Sequence, residues 1–176
     1  MNSNFLTRRQ MAVRVAAAAG SLVACSRILA QTPTAKPDRP DAVPDNLRTS
    51  LHQEITLEAN PGRIYEILLD SAQFAKFTGE KAEIGRDQGS AFSMFGGVIV
   101  GRNIELVPGQ RIVQAWRPKY WNPGIYSLVR FELKAVGPKT MLALDHTGFP
   151  EGDFASLNSG WGDKYWEPLK KYLAAP

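Results

Sequence analysis

One cysteine in 176 residues rules out a disulfide within a single molecule, and two histidines are few for a catalyst. No second His or Cys stands at metal-ligand spacing, so neither a dedicated zinc site nor a redox site nor any other cofactor is expected. Gly96-Gly97 is not followed by Gly-Lys-Ser/Thr and is flanked by strand-like residues, which excludes a phosphate loop. A serine-nucleophile elbow is also missing. Apolar runs are short: none reaches the roughly 20 residues of a membrane-spanning helix. The net charge of +4 does not describe a basic surface. Four of the 21 basic residues, Arg8, Arg9, Arg14 and Arg27, lie in the first 30 positions, which hold no acid, and the remainder balances 17 basic against 17 acidic residues. No basic stripe interleaved with aromatics appears, so nucleic acid is not an expected partner.

What is present divides the chain into three. Residues 1–30 read as an export signal: a polar start, the adjacent pair Arg8-Arg9, then a small apolar run interrupted by Arg14. This resembles a twin-arginine signal, whose pathway carries folded proteins; an ordinary secretory signal is the other reading. Leu22-Val23-Ala24-Cys25 resembles a lipobox, which would make Cys25 a lipidation site, while Ile28-Leu29-Ala30 offers an alternative cleavage point after Ala30. The expectation is a periplasmic protein, with a lipid anchor as its one contact with a membrane. Residues 31–49 carry Pro33, Pro37, Pro40 and Pro44 among polar residues and are expected to form a disordered linker. The folded domain is expected over residues 50–176.

Within it, Leu51, Gln53, Ile55 and Leu57 alternate with polar residues, as in a half-buried strand. Asn60-Pro61 supplies a helix start, and Asp70-Ser71 a second. Strand signals follow at Ala91–Phe95, Val98–Leu106, Arg111–Arg117, Tyr126–Val136 and Thr140–Thr147, with Gly or Pro-Gly breaks that imply antiparallel hairpins. Trp161, Tyr165, Leu169 and Tyr172 then recur at steps of four, four and three, one stripe of a helix. Gly160 and Gly162 delay its expected onset until after Gly160, and Pro168 is expected to kink it. The fold class is α+β: a helix-grip fold, a curved antiparallel sheet wrapped around a long C-terminal helix, with two short helices after the first strand.

Particular motifs sharpen this. Phe77-Thr78-Gly79, Gly89-Ser90-Ala91-Phe92-Ser93-Met94-Phe95-Gly96-Gly97, Arg111-Ile112-Val113-Gln114-Ala115-Trp116-Arg117, the stretch from Thr140 to Pro150, and Gly160-Trp161 with Tyr165-Trp166 resemble the activator of heat-shock protein 90 ATPase-like family. That family belongs to the SRPBCC superfamily (START and birch-pollen-allergen-like). The resemblance covers roughly residues 51–174 and implies the helix-grip fold. It also implies a cochaperone as a possible function class. The eukaryotic members carry an additional N-terminal domain where this chain has a signal and a linker, and export would separate the protein from a cytosolic chaperone and from ATP.

Candidate site residues cluster as aromatics around one hollow: Phe77, Phe95, Trp116, Trp121, Trp161 and Tyr165, with His146. A sheet gripping a helix leaves either a cavity for a hydrophobic small molecule or a filled core, and both readings stand. His146 shares its strand face with Leu142 and Leu144 and points inward, as a satisfied core group or as a ligand-orienting or acid–base residue. No catalytic set is evident. The leading expectation is a non-enzymatic binding module for a hydrophobic molecule or a protein partner. A superfamily cyclase or hydrolase using His146 is the alternative, or a cochaperone if the protein is cytosolic.

Overall fold

A computed structural model describes residues 43–175. Seven strands form a single antiparallel sheet in the order β1-β7-β6-β5-β4-β3-β2: β1 Ser50–Leu57, β2 Glu83–Ile84, β3 Ala91–Met94, β4 Ile99–Val107, β5 Arg111–Pro118, β6 Ser127–Val136 and β7 Lys139–Thr147. Each expected strand is there within one or two residues; the two-residue β2 had no legible pattern. From β3 to β7 the chain is a meander, because its connections, the longest of them the eight residues between β5 and β6, are shorter than a parallel crossover needs.

Two short helices cross from β1 to β2. In α1, Pro61–Leu69, Asn60 Oδ1 accepts the Arg63 N–H at 2.9 Å, and Pro61 occupies the first helical turn, where its missing N–H costs nothing. Asp70 ends α1 and caps α2, Ser71–Thr78, by accepting the Gln73 N–H at 2.8 Å. Gly79 closes α2 in the left-handed conformation that a residue with a Cβ adopts at a cost. Ile64, Ile67, Leu68, Phe74 and Phe77 are buried by this corner.

Alternation decides which side chains meet the helix. On β5 the inward set is Ile112, Gln114 and Trp116; on β6 it is Ser127, Val129, Phe131 and Leu133; on β7 it is Thr140, Leu142, Leu144 and His146. Gly101 of β4 lies between Phe92 and Trp116, and a Cβ there would come within 2.3 Å of the Phe92 ring. Its bareness is what allows the Phe92 and Trp116 rings to meet edge-on with centroids 6.3 Å apart.

The C-terminal helix has three consecutive parts: α3 Phe154–Gly160, a π-helical turn Trp161–Trp166, and α4 Glu167–Ala174. It starts at Phe154, ahead of the expected onset after Gly160, because Phe154 is itself buried and Gly160 keeps ordinary helical angles despite its low propensity. Near Pro168 the helix widens. Pro168 has no N–H to offer the carbonyl four residues back, and the Glu167 N–H reaches five back, to the Gly162 carbonyl. Widening brings Trp161, Tyr165, Trp166 and Leu169 all onto the sheet, each no more than 3% exposed. Trp161 and Trp166 stack at 5.4 Å.

The domain also begins before residue 50. A short 3-10 turn at Asp45–Leu47 docks on it: the Asn46 carbonyl accepts the Gly152 N–H at 2.9 Å, and the Arg48 guanidinium lies 3.8 Å from the Phe154 ring centre. The expected linker therefore loses its last residues to the fold. Sequence polarity hid this, since what holds the segment is backbone carbonyls and a cation over a ring. The expected sites at Arg8, Arg9 and Cys25, the Ala30 cleavage point and residues 31–42 of the linker lie outside the described residues.

Candidate functional site

Between the C-terminal helix and the β3–β4 edge lies a cavity of about 460 Å³. Phe95, Ile99, Trp116, Leu157, Trp161 and Tyr165 give it an apolar interior, and Glu80, Asp163 and Lys164 add charge to its lining. Glu80 and Asp163 make no ion pair among the described residues. Gly160 borders the same space, and a Cβ placed on it meets no atom within 4 Å.

Phe95 sits in this wall with φ +52°, followed by Gly96 at +62° and Gly97 at +90°. Left-handed angles are natural for glycine and cost a bulky residue of the order of 1 kcal/mol or more. The turn holds Phe95 there by packing its ring against Phe74 at 5.3 Å and Tyr165 at 5.9 Å. Strain at a cavity wall, with the ring only partly buried, marks this as the most specialised backbone in the domain.

Behind the wall runs a chain of polar groups with a single consistent direction. The Trp161 indole N–H donates to His146 Nδ1 at 3.2 Å, so the hydrogen of the neutral ring is on Nε2, which donates to Ser127 Oγ at 2.7 Å. The Ser127 hydroxyl then donates to the Trp116 carbonyl at 3.3 Å. Burial pushes the His146 pKa down to about 3, which keeps the ring neutral. A second chain runs from the Trp116 indole N–H to Gln114 at 2.9 Å, from Gln114 to Asn103 at 2.8 Å, and from Asn103 to the Gly85 carbonyl at 2.7 Å. Both chains fix the two indoles that face the cavity, and both consume their N–H groups.

Of the residues expected at the hollow, Phe95, Trp116, Trp161 and Tyr165 line it. The other three do not. Phe77 lies beneath α2, its ring packed between Phe74, Tyr165 and Tyr172. His146 is screened by Trp161, to which it is bonded. Trp121 belongs to the β5–β6 loop, where its indole N–H is bonded to the Asp153 carboxylate and anchors the start of α3. Its position past the end of β5 breaks the alternation that would have aimed it inward. Leu157, Gly160 and the charged residues of the lining escaped the sequence reading; an unexplained glycine inside a helical stripe was the available signal for one of them.

On the opposite, convex face, His52 Nδ1 lies 2.7 Å from Asp145, which also accepts from Arg130 at 2.7 Å. Among the described residues no cluster of His, Cys, Asp and Glu is arranged to hold a metal ion.

A curved antiparallel sheet closed on a long helix, with an apolar cavity between them, defines a helix-grip domain of the SRPBCC kind. The match to a family model narrows this: residues 58–174 match the Activator of Hsp90 ATPase homolog 1-like protein family, and the chain belongs to it. It is 30% identical over 144 residues to an activator of 90 kDa heat shock protein ATPase homolog of Dictyostelium discoideum, covering 81% of this chain and 35% of that protein. It is 27% identical over 116 residues to homolog 1 of Homo sapiens, covering 66% of this chain and 34% of that protein. The chain thus matches about a third of the length of these curated relatives. Among solved structures, an HSP90 activator from Plasmodium falciparum superposes with a TM-score of 0.69 at 25% identity, covering 73% of this chain and 99% of that one.

Proposed function

We propose that this protein is a non-enzymatic binding module that holds a hydrophobic small molecule in the cavity between its helix and sheet, and that it works in the cell envelope after export. The observation that carries this is the cavity itself: about 460 Å³ walled by aromatic rings whose indoles are held rigid from behind. A cavity of that size bordered by apolar groups and a few polar ones is what small ligands require. Against the enzyme reading stands His146, with both ring nitrogens engaged, its charge suppressed by burial, and Trp161 between it and the cavity.

The export half of the proposal rests on Arg8-Arg9 and the apolar run after them, and the lipid anchor on Cys25. A protein partner is the second reading, favoured by membership of a family described by Hsp90 ATPase activation. Native mass spectrometry of freshly purified protein is expected to reveal a non-covalent small-molecule adduct; the bare chain in repeated preparations would count against the cavity reading. Cell fractionation separates the two readings by compartment: a cytosolic protein would restore the cochaperone. Labelled fatty acid is expected to enter the protein and to be lost in Cys25→Ala.

A further inference from the structure

Among the buried residues of the cavity wall, one side-chain donor has no hydrogen-bond partner among the described residues; the other unpaired donors of the lining, Ser156 and Lys164, are exposed. Every indole near the cavity is already committed: Trp116 to Gln114, Trp161 to His146 and Trp166 to Gln53 at 2.6 Å. Tyr165 differs. It is 3% exposed, its ring is enclosed by Phe74, Phe95, Trp116, Phe131 and Trp161, and its hydroxyl makes no hydrogen bond among the described residues. The fully enclosed side-chain polar atom that lacks a partner among those residues is a different one, Arg117 Nε. The unpaired Tyr165 hydroxyl therefore keeps a sliver of open surface, and the space Tyr165 borders is the cavity.

A hydroxyl that opens only into an apolar cavity depends on the cavity's occupant for a partner, and left without one it costs about 1–3 kcal/mol that a purely structural aromatic avoids by being Phe. The protein retains the oxygen at the residue where helix, sheet and cavity meet. We propose that the Tyr165 hydroxyl is the polar anchor of the ligand, donating to a neutral acceptor such as a carbonyl oxygen on an otherwise apolar, ring-shaped molecule. This rests on the cavity reading above and names the class of ligand. Donation is the fitting direction because the two indole N–H groups that face the cavity are spent. Neutrality follows from the lining: the hydroxyl lies among aromatic rings, where an ionised acceptor would lose its hydration, and the charged lining residues, Glu80, Asp163 and the exposed Lys164, do not sum to a positive counter-charge. Burial also holds the phenol in its protonated form.

The probe is a matched pair, 9-fluorenone and fluorene, which share one flat tricyclic body and differ by a carbonyl oxygen. The full chain is expected to bind fluorenone roughly two- to tenfold more tightly than fluorene, the range of one net hydrogen bond. In Tyr165→Phe, which keeps the ring and its packing, fluorene affinity is expected to stay the same and the preference to disappear. A measurement on the unmodified protein accompanies it: the carbonyl stretch of bound fluorenone is expected to shift to lower frequency, and to return to its apolar-solvent position in the variant. If both compounds bind and the preference survives in Tyr165→Phe, or the stretch is unshifted, the hydroxyl assignment is overturned while the cavity reading stands. If neither compound binds, both fall.

Discussion

Trp161 holds His146 by its Nδ1 atom, and the consequence is a histidine that resists protonation at its own place in the core. Both nitrogens would have to donate in the charged ring, yet Nδ1 faces an indole that can only donate. Burial adds to this and lowers the pKa to about 3. In the unfolded chain the ring protonates near pH 6.5. The sign follows: between about pH 6.5 and 3 the unfolded state binds the extra proton, so folding weakens as pH falls through this window and His146 costs nothing above it. At about 1.4 kcal/mol per unit, the loss approaches roughly 5 kcal/mol by pH 3. Urea unfolding across pH 3–8 is expected to show this slope in the native protein and not in His146→Gln, whose amide accepts from Trp161 and donates to Ser127 without titrating. Parallel slopes in the two proteins would contradict the assignment.

His52 works in the opposite sense. Its hydrogen bond to Asp145 on the exposed convex face raises its pKa. A histidine with a raised folded pKa contributes fully below the unfolded value and loses its contribution as pH rises through the folded one. Solvent and salt screen the pair, so the effect is small. NMR titration of the His52 ring is expected to give a pKa above 6.5 that returns toward that value in Asp145→Asn.

Gly101 marks a place where an added methyl has nowhere to go. Its Cβ would stand 2.0 Å from the Ala115 carbonyl oxygen and 2.3 Å from the Phe92 ring. The carbonyl belongs to the neighbouring strand and cannot swing aside as a side chain would. Gly101→Ala is expected to destabilise by about 1–3 kcal/mol, as overpacking does in well-filled interiors, despite the better strand propensity of alanine. Chemical denaturation measures it, and an unchanged midpoint would show that the sheet yields there.

The strands and both helix caps were legible because each depends on local chemistry. Alternation on β6 and β7 fixes which face is buried, and Asn60-Pro61 and Asp70 state their roles within four residues. The site was legible in part. Phe95, Trp116, Trp161 and Tyr165 are aromatic residues in strands, turns and stripes that point inward, whereas Trp121 and Phe77 share the chemistry and not the location. Whether a ring borders a cavity depends on what is missing opposite it, and absence of atoms has no residue code. The π-turn was illegible for a related reason. Pro168 signals a disturbance, but the stacking of Trp161 on Trp166 that takes advantage of it is tertiary.

Gly160 separates stability from function. It has helical angles, φ −58° and ψ −37°, in the middle of a continuous helical segment, where glycine costs up to about 1 kcal/mol relative to alanine. Nothing steric requires it, since a Cβ meets no atom within 4 Å. What a side chain would do is enter the cavity that Gly160 borders. Gly160→Ala is expected to raise stability by about 0.5–1 kcal/mol and to leave fluorene binding nearly intact, because one methyl takes little of about 460 Å³. Gly160→Leu is expected to remain as stable as the native protein or more so, and to bind fluorene at least tenfold more weakly. Thermal unfolding and a fluorescence titration read the two properties independently. Were the leucine variant to bind fluorene as the native protein does, the ligand would have to lie somewhere other than between this helix and the sheet.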